Sequence, residues 1–290
     1  QYYWNIEDEQ LCKKRNIDGL IEKHGEDVLN FINEDNKEEK LEIYDKMPEL
    51  EILTTQMDER YYKIKEEIKD TKYGFSTVAL LSLNKKNNFN YDREVEKHLS
   101  LISGSSTGAV RDENSIFERI RRKAVKCGSR TTLCNENFTT QIWFLPVGIG
   151  MKINIVSENL KKKMLNDKVL KNYEIMIINS HKKYKCIDLK GEIEKREEKA
   201  KYEGKCGLIL LAGKQCSLGI TLPRCDIVFL MNNTYASDTI YQMMYRCMSE
   251  SKDGSKKFGY VVEFNISRLL NVLTEYKVKN KDLTIEDRFK

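Results

Sequence analysis

Two apolar runs, Leu208 to Leu211 and Ile227 to Met231, constrain this chain more than any other feature. Each is too short for a helix and has no polar residue inside it, the form taken by strands covered on both faces of a parallel sheet. Gly207 and Gly213 bound the first run. In the loop between the runs Gly219 permits backbone geometry closed to other residues, Thr221 offers a hydroxyl, and Pro223 prevents pairing as a strand. After the second run Asn232, Asn233, Ser237 and Asp238 mark a turn, with Ser237 or Asp238 expected as the N-cap of a helix. In that helix Ile240, Met243, Met244 and Cys247 fall at i, i+3, i+4 and i+7, one apolar face for packing on the sheet, while Gln242, Arg246 and Ser249 share the other.

These residues carry a resemblance. Gly219-Ile220-Thr221-Leu222-Pro223 followed by Asp226-Ile227-Val228 resembles motif V of superfamily 2 helicases and translocases, and Gln242-Met243-Met244-Tyr245-Arg246 resembles the start of motif VI. The wording of the second is most similar to helicases of large nucleocytoplasmic DNA viruses, including relatives of the poxvirus early-transcription helicases. Tyr245 stands where that family has Gly, and Ser249 where it has a second Arg. The resemblance therefore implies one arginine finger, Arg246.

Proteins of this family close two RecA-like domains on ATP and Mg, one supplying a phosphate loop and a magnesium carboxylate, the other an arginine. No G-x-x-x-x-G-K-[ST] loop occurs here, and Ile6-Glu7-Asp8-Glu9 is read as a solvated acidic turn. The resemblance thus implies the C-terminal half of the motor, with the nucleotide and Mg held mainly by an N-terminal RecA-like domain. It assigns Arg246 to the γ-phosphate with Gln242 in support, and assigns Ser217, Gly219 and Thr221 to coupling the nucleotide cleft with DNA or RNA. Viral transcription machinery is the further partner it suggests, with a viral factory in the cytoplasm or the virion as location. The second reading is a degenerate RecA-like module that binds nucleic acid or a transcription complex without turnover.

Composition sets broad limits. A chain of 290 residues with 33% charged residues, 40% hydrophobic residues and only 3 Pro is expected to be soluble, globular and rich in helix. Its net charge of +5 permits nucleic acid as a partner without requiring it. The eight cysteines form no C-x-x-C pair and are read as reduced thiols in an intracellular compartment. No stretch approaches a membrane span, and the N-terminus is not a signal peptide.

Three regions are expected: 1–138 mainly helical and accessory, 139–276 a RecA-like α/β domain with a parallel sheet flanked by helices, and 277–290 a polar tail. The abrupt aromatic start at Tyr2, Tyr3 and Trp4 suggests a segment of a longer protein. Helices are predicted over 16–40, 60–69 and 94–102, a short strand over 51–55, and a flexible link at 103–108. Residues 115–126 read as a basic amphipathic helix able to follow a phosphate backbone or to lie solvated on the surface. From Thr139 strands and helices alternate. The loop Val147-Gly148-Ile149-Gly150 after the first strand matches motif IV in position, its glycines placed to bring backbone N–H groups near a phosphate. Ile153, Val156, Leu160 and Leu165 are expected to face inward on the next helix with Lys161, Lys162 and Lys163 wet. The charged helix over 192–203 is expected to face solvent, with i, i+4 pairs Glu192–Arg196 and Glu197–Lys201.

Overall fold

The computed structural model describes residues 17–25, 48–54, 69–70, 74–105, 114–129, 138–148, 152–216, 221–251 and 254–277. Ser217, Gly219 and Gly150 lie outside the described residues, as do the helix predicted over 60–69 (save residue 69), most of that over 16–40, and the tail beyond 277.

In chain order the elements are α1 (Ile17–His24), β1 (Glu49–Thr54), β2 (Lys69–Asp70), β3 (Gly74–Phe75), α2 (Thr77–Leu80), α3 (Asp92–Ser103), α4 (Ile116–Cys127) and β4 (Thr139–Phe144). Then come α5 (Ile153–Asn166), β5 (Tyr173–Ile178), α6 (Leu189–Tyr202), β6 (Gly207–Ala212), β7 (Cys225–Leu230), α7 (Ser237–Met244), a 3-10 turn (Tyr245–Met248), β8 (Phe258–Glu263) and α8 (Ile266–Lys277). Six strands form one sheet in the order β1-β8-β7-β4-β6-β5, and every pairing is parallel. This is the expected α/β class, a parallel sheet flanked by helices.

The two-residue period of a strand sorts the core into two layers. Trp143, Ile209, Leu211, Ile227, Phe229, Tyr260 and Val262 face α3, α4 and α5; Ile142, Phe144, Leu208, Leu210, Val228, Leu230 and Val261 face α6, α7 and α8. Both faces of β6 and β7 are buried, which is why Leu208 to Leu211 and Ile227 to Met231 read as uninterrupted apolar runs.

The core crosses the expected division at residue 138. β1 completes the sheet beside β8 from Glu49↔Phe258 to Thr54↔Glu263, and Val95, Leu99, Ile102, Phe117 and Ile120 belong to the same cluster as Trp143 and Phe229. Residues before 139 therefore supply an edge strand and two face helices. Two cations of α4 are engaged on β1, where Arg119 Nη1 donates to Thr54 O at 3.2 Å and Lys123 pairs with Glu51 at 3.2 Å, while Arg121 and Arg122 both hold Glu118 of the same helix.

Local expectations are corrected in three places. On α5 the buried stripe Val156, Leu160 continues to Met164, while Leu165, one 100° step further round, is 46% exposed. Lys161 and Lys163 are not wet: Lys161 Nζ donates to Ile175 O at 2.6 Å, and Lys163 pairs with Asp92 at 2.5 Å and Glu96 at 2.6 Å, joining α5 to α3. On α6, Arg196 does pair with Glu192 at 3.2 Å, but Glu197 turns inward, where it accepts from Thr140 Oγ1 at 2.5 Å and Arg224 at 3.2 Å. Desolvation raises the Glu197 carboxyl above its usual range.

Candidate functional site

A parallel sheet gathers its strand ends, and the direction in which the chain leaves each strand decides where a crevice opens. From β4 the chain passes through α5 to β5 on one side, and from β6 it crosses back to β7 on the other. The carboxyl ends of β4 and β7 therefore flank the switch point, the place where open α/β sheets receive ligands. Gly148 sits there with φ +152, a backbone region that L side chains rarely adopt, and a Cβ on it would lie 4.0 Å from Asn233 Nδ2. Val147 N donates to Asn233 Oδ1 at 3.2 Å, tying the loop after β4 to the loop after β7. Asn179, just past β5, is 1% exposed, and its Nδ2 has no hydrogen-bond partner among the described residues; Gln215 Oε1, past β6, also has none.

The loop after β7 is heavily tethered. Thr77 Oγ1 donates to Met231 O at 2.7 Å. Arg268, 4% exposed, donates to Leu230 O at 3.0 Å, to Asn232 O at 2.6 Å, to Asn232 Oδ1 at 2.9 Å and to Thr234 O at 3.2 Å, while Glu263 takes its Nε at 2.9 Å. Neither Ser237 nor Asp238 serves as the N-cap of α7: that position is Ala236, with no side-chain cap. The turn is organised instead by Asn232 and Thr234, whose side chains accept from the amides of Thr234 and Ala236, both at 3.4 Å.

α7 presents the expected face to the sheet, with Ile240, Met243 and Met244 buried and Cys247 following on the 3-10 turn. Gln242 is exposed and Arg246 half-buried, and Arg246 Nε donates to Gln242 O at 3.1 Å. Burial pulls the Arg246 guanidinium below its ordinary range, yet an arginine stays protonated at neutral pH. Cys216 and Cys225, both buried, lie within electrostatic reach of it. Past the turn, Lys256 Nζ donates to Ser249 O at 2.8 Å and Cys225 O at 2.7 Å, with Asp226 Oδ1 3.5 Å away.

The structure thus brings Gln242 and Arg246 together and sets them beside the crossover that contains Cys216. Thr221 is exposed on that crossover. Gly148 lies elsewhere, at the carboxyl ends of the strands, whereas the turn bearing Arg246 packs near the start of β8, where Cys247 O would stand 2.4 Å from a Cβ on Gly259. Sequence reading missed Lys256, Arg268 and Asn233. The Asn232-Asn233 pair was legible only as a turn.

The six described cysteines are free thiols; Cys216 and Cys247 are pushed up to about 12 by burial, as small core hydrophobes. Among the described residues no group of three His, Cys, Asp or Glu side chains converges as a metal site, and no helix is long and apolar enough to cross a membrane. No protein-family model matches the sequence, and no curated protein does. Among solved structures, the crystal structure of the C-terminal part of the Fun30 ATPase domain is similar at 13% identity, over 97% of this chain and 90% of that one, with a TM-score of 0.35.

Proposed function

We propose that this chain is the C-terminal half of an ATP-dependent nucleic-acid helicase or translocase of superfamily 2, acting with an N-terminal RecA-like domain that holds ATP and Mg. The observation that carries the reading is the segment 231–249: a helix leaving the sheet, fastened before and after by buried cations, with Arg246 one turn beyond Gln242 and its Nε tied to that residue's carbonyl. A guanidinium tethered at Nε is held in one direction and loses little freedom on engaging a phosphate. The chain offers ATP a forked cation and, among its described residues, offers Mg no cluster of carboxylates. In this reading Mg is held by the other domain.

Nucleic acid, DNA or RNA, would lie across the carboxyl ends of the strands. Gly148 allows close backbone approach there, and Asn179 Nδ2 is a buried donor that a phosphate oxygen would satisfy. Gly150, Ser217, Gly219 and Thr221 are assigned to the same role by their motifs. The viral affiliation, the transcription partner and the location in a viral factory or virion rest on the wording of residues 242–248 alone.

The test is nucleic-acid-stimulated ATP hydrolysis by the chain joined to its N-terminal domain, wild type against Arg246→Ala. A fall of about 10³-fold or more is expected of a lost arginine finger. Unchanged hydrolysis in the variant sinks the assignment. Absence of turnover in both proteins with nucleic-acid binding intact supports the second reading, a module that binds without hydrolysing.

A further inference from the structure

The sheet ends on one side at β5, and this edge lies open between α5 and α6. Alternate residues of a parallel strand direct their N–H and C=O groups to opposite sides. Ile178 O accepts from Gly213 N on the β6 side, so Glu174, Met176 and Ile178 serve β6, and Ile175 and Ile177 point outward. Lys161 Nζ on Ile175 O at 2.6 Å marks that outer side. Among the described residues no hydrogen bond reaches the amide of Ile175, or the amide and carbonyl of Ile177.

Ile175 and Ile177 form the floor of a groove walled by Lys161 and Lys162 from α5, Arg196 from α6, and Lys183 and Lys185 from the loop after β5. The carboxylates facing it are already engaged. Glu158 accepts from Lys183 and from Tyr184, and Glu174 and Glu192 both hold Arg196. Lys162 and Lys185 bond to no carboxylate among the described residues, and burial lowers Lys161 from its ordinary range.

An unpaired strand edge recognises extended backbone, and a surplus of cations selects carboxylates. We propose that the β5 edge is a docking site for an extended acidic segment of a partner protein, which adds to the sheet as a seventh strand. Its backbone pairs with Ile175 and Ile177 while its carboxylates take Lys162, Lys185 and the ammonium of Lys161 released from Ile175 O. A folded protein normally covers or charges such an edge to prevent unwanted pairing; here one displaceable lysine does so.

The probe is a fluorescein-labelled octapeptide alternating glutamate and valine, titrated with the full chain and followed by anisotropy. Saturable binding is expected below about 1 mM, the weak end of specific association. N-methylation of the amides along one edge of the peptide is expected to weaken it at least about tenfold, the equivalent of one lost hydrogen bond, and the matching lysine–valine peptide is expected not to bind. Lys162→Glu with Lys185→Glu, both on exposed side chains, should weaken binding at least about fivefold while leaving the melting temperature unchanged. No binding of the glutamate peptide, or equal binding of its N-methylated form, overturns the proposal. So does preferential binding of a single-stranded octanucleotide that the same double substitution abolishes, which would make the groove a phosphate track.

Discussion

Lys256 donates to the carbonyl of Ser249 at 2.8 Å, just where the segment carrying Arg246 leaves its 3-10 turn. The same ammonium reaches Cys225 O and the buried Asp226, so one side chain with no exposed surface joins the end of that segment to the start of β7. A buried charge is tolerated only with such company. Lys256→Met leaves Asp226 in the core with Thr139 as its described hydroxyl donor, and is expected to cost about 3 kcal/mol or more. The double change Lys256→Met with Asp226→Asn should cost clearly less than the sum of the two single changes. Urea unfolding of the four proteins measures the coupling.

His98 gives the fold a dependence on acid. Its ring lies between Phe75, 5.6 Å away, and Phe264, 4.5 Å away, neither nitrogen has a hydrogen-bond partner among the described residues, and burial lowers its pKa to about 3. The folded protein therefore holds a neutral imidazole, while the unfolded chain takes up a proton below 6.5. Stability is fully present above that value and falls as the pH drops toward 3. Between pH 6.5 and 5 the loss is about 2 kcal/mol at roughly 1.4 kcal/mol per unit. Glu197 and Glu263, raised by desolvation, act in the opposite sense, gaining stability as the pH falls toward the unfolded carboxylate value. His98→Phe leaves both in place and should flatten the profile between pH 7 and 5 when unfolding is followed by circular dichroism.

What the sequence made legible divides along burial. β6 and β7 were readable because both faces are dry, and α7 because Ile240, Met243 and Met244 follow the helical period. β1 was only partly readable: its residues alternate Glu49, Leu50, Glu51, Ile52, a half-buried pattern that does not name its neighbour, and the neighbour lies at Phe258. The basic face of α4 resembled a phosphate track, since nothing local shows that Arg119 and Lys123 are spent on β1. Arg268 was invisible for the same reason. Its acceptors are strand-end carbonyls 36 and 38 residues earlier, and only the folded sheet aligns them.

Gly259 controls the height of the Arg246 turn above the sheet. A Cβ there would stand 2.4 Å from Cys247 O and 2.8 Å from Cys247 C, both backbone atoms that cannot rotate away. Gly259→Ala must lift the turn or shift β8, and overpacking of this kind costs about 1–3 kcal/mol. The expected result is a lower unfolding midpoint together with faster amide exchange at residues 245–248. Unchanged exchange there would mean that β8 moves and the turn does not.

Arg268→Lys tests whether geometry or charge holds the start of that segment. The guanidinium bonds Glu263 through Nε and Nη2, Leu230 O through Nη2, and Asn232 and Thr234 through Nη1, a set of acceptors spread across the plane of one fork. A lysine keeps the charge beside Glu263 but is a single point with three donors, so it leaves at least two of the five acceptor atoms (Glu263 Oε2, Leu230 O, Asn232 O and Oδ1, Thr234 O) without their donor. Each such group costs about 1–3 kcal/mol. The loss expected for Arg268→Lys is therefore about 2–4 kcal/mol, well beyond that of a conservative surface exchange. If charge alone were sufficient, the variant would unfold at the wild-type urea midpoint. Because Arg268 also holds the loop after β7, whose Asn233 meets the Gly148 loop, the variant should speed amide exchange in that loop and in the Arg246 turn together, whereas Lys256→Met should affect the turn alone.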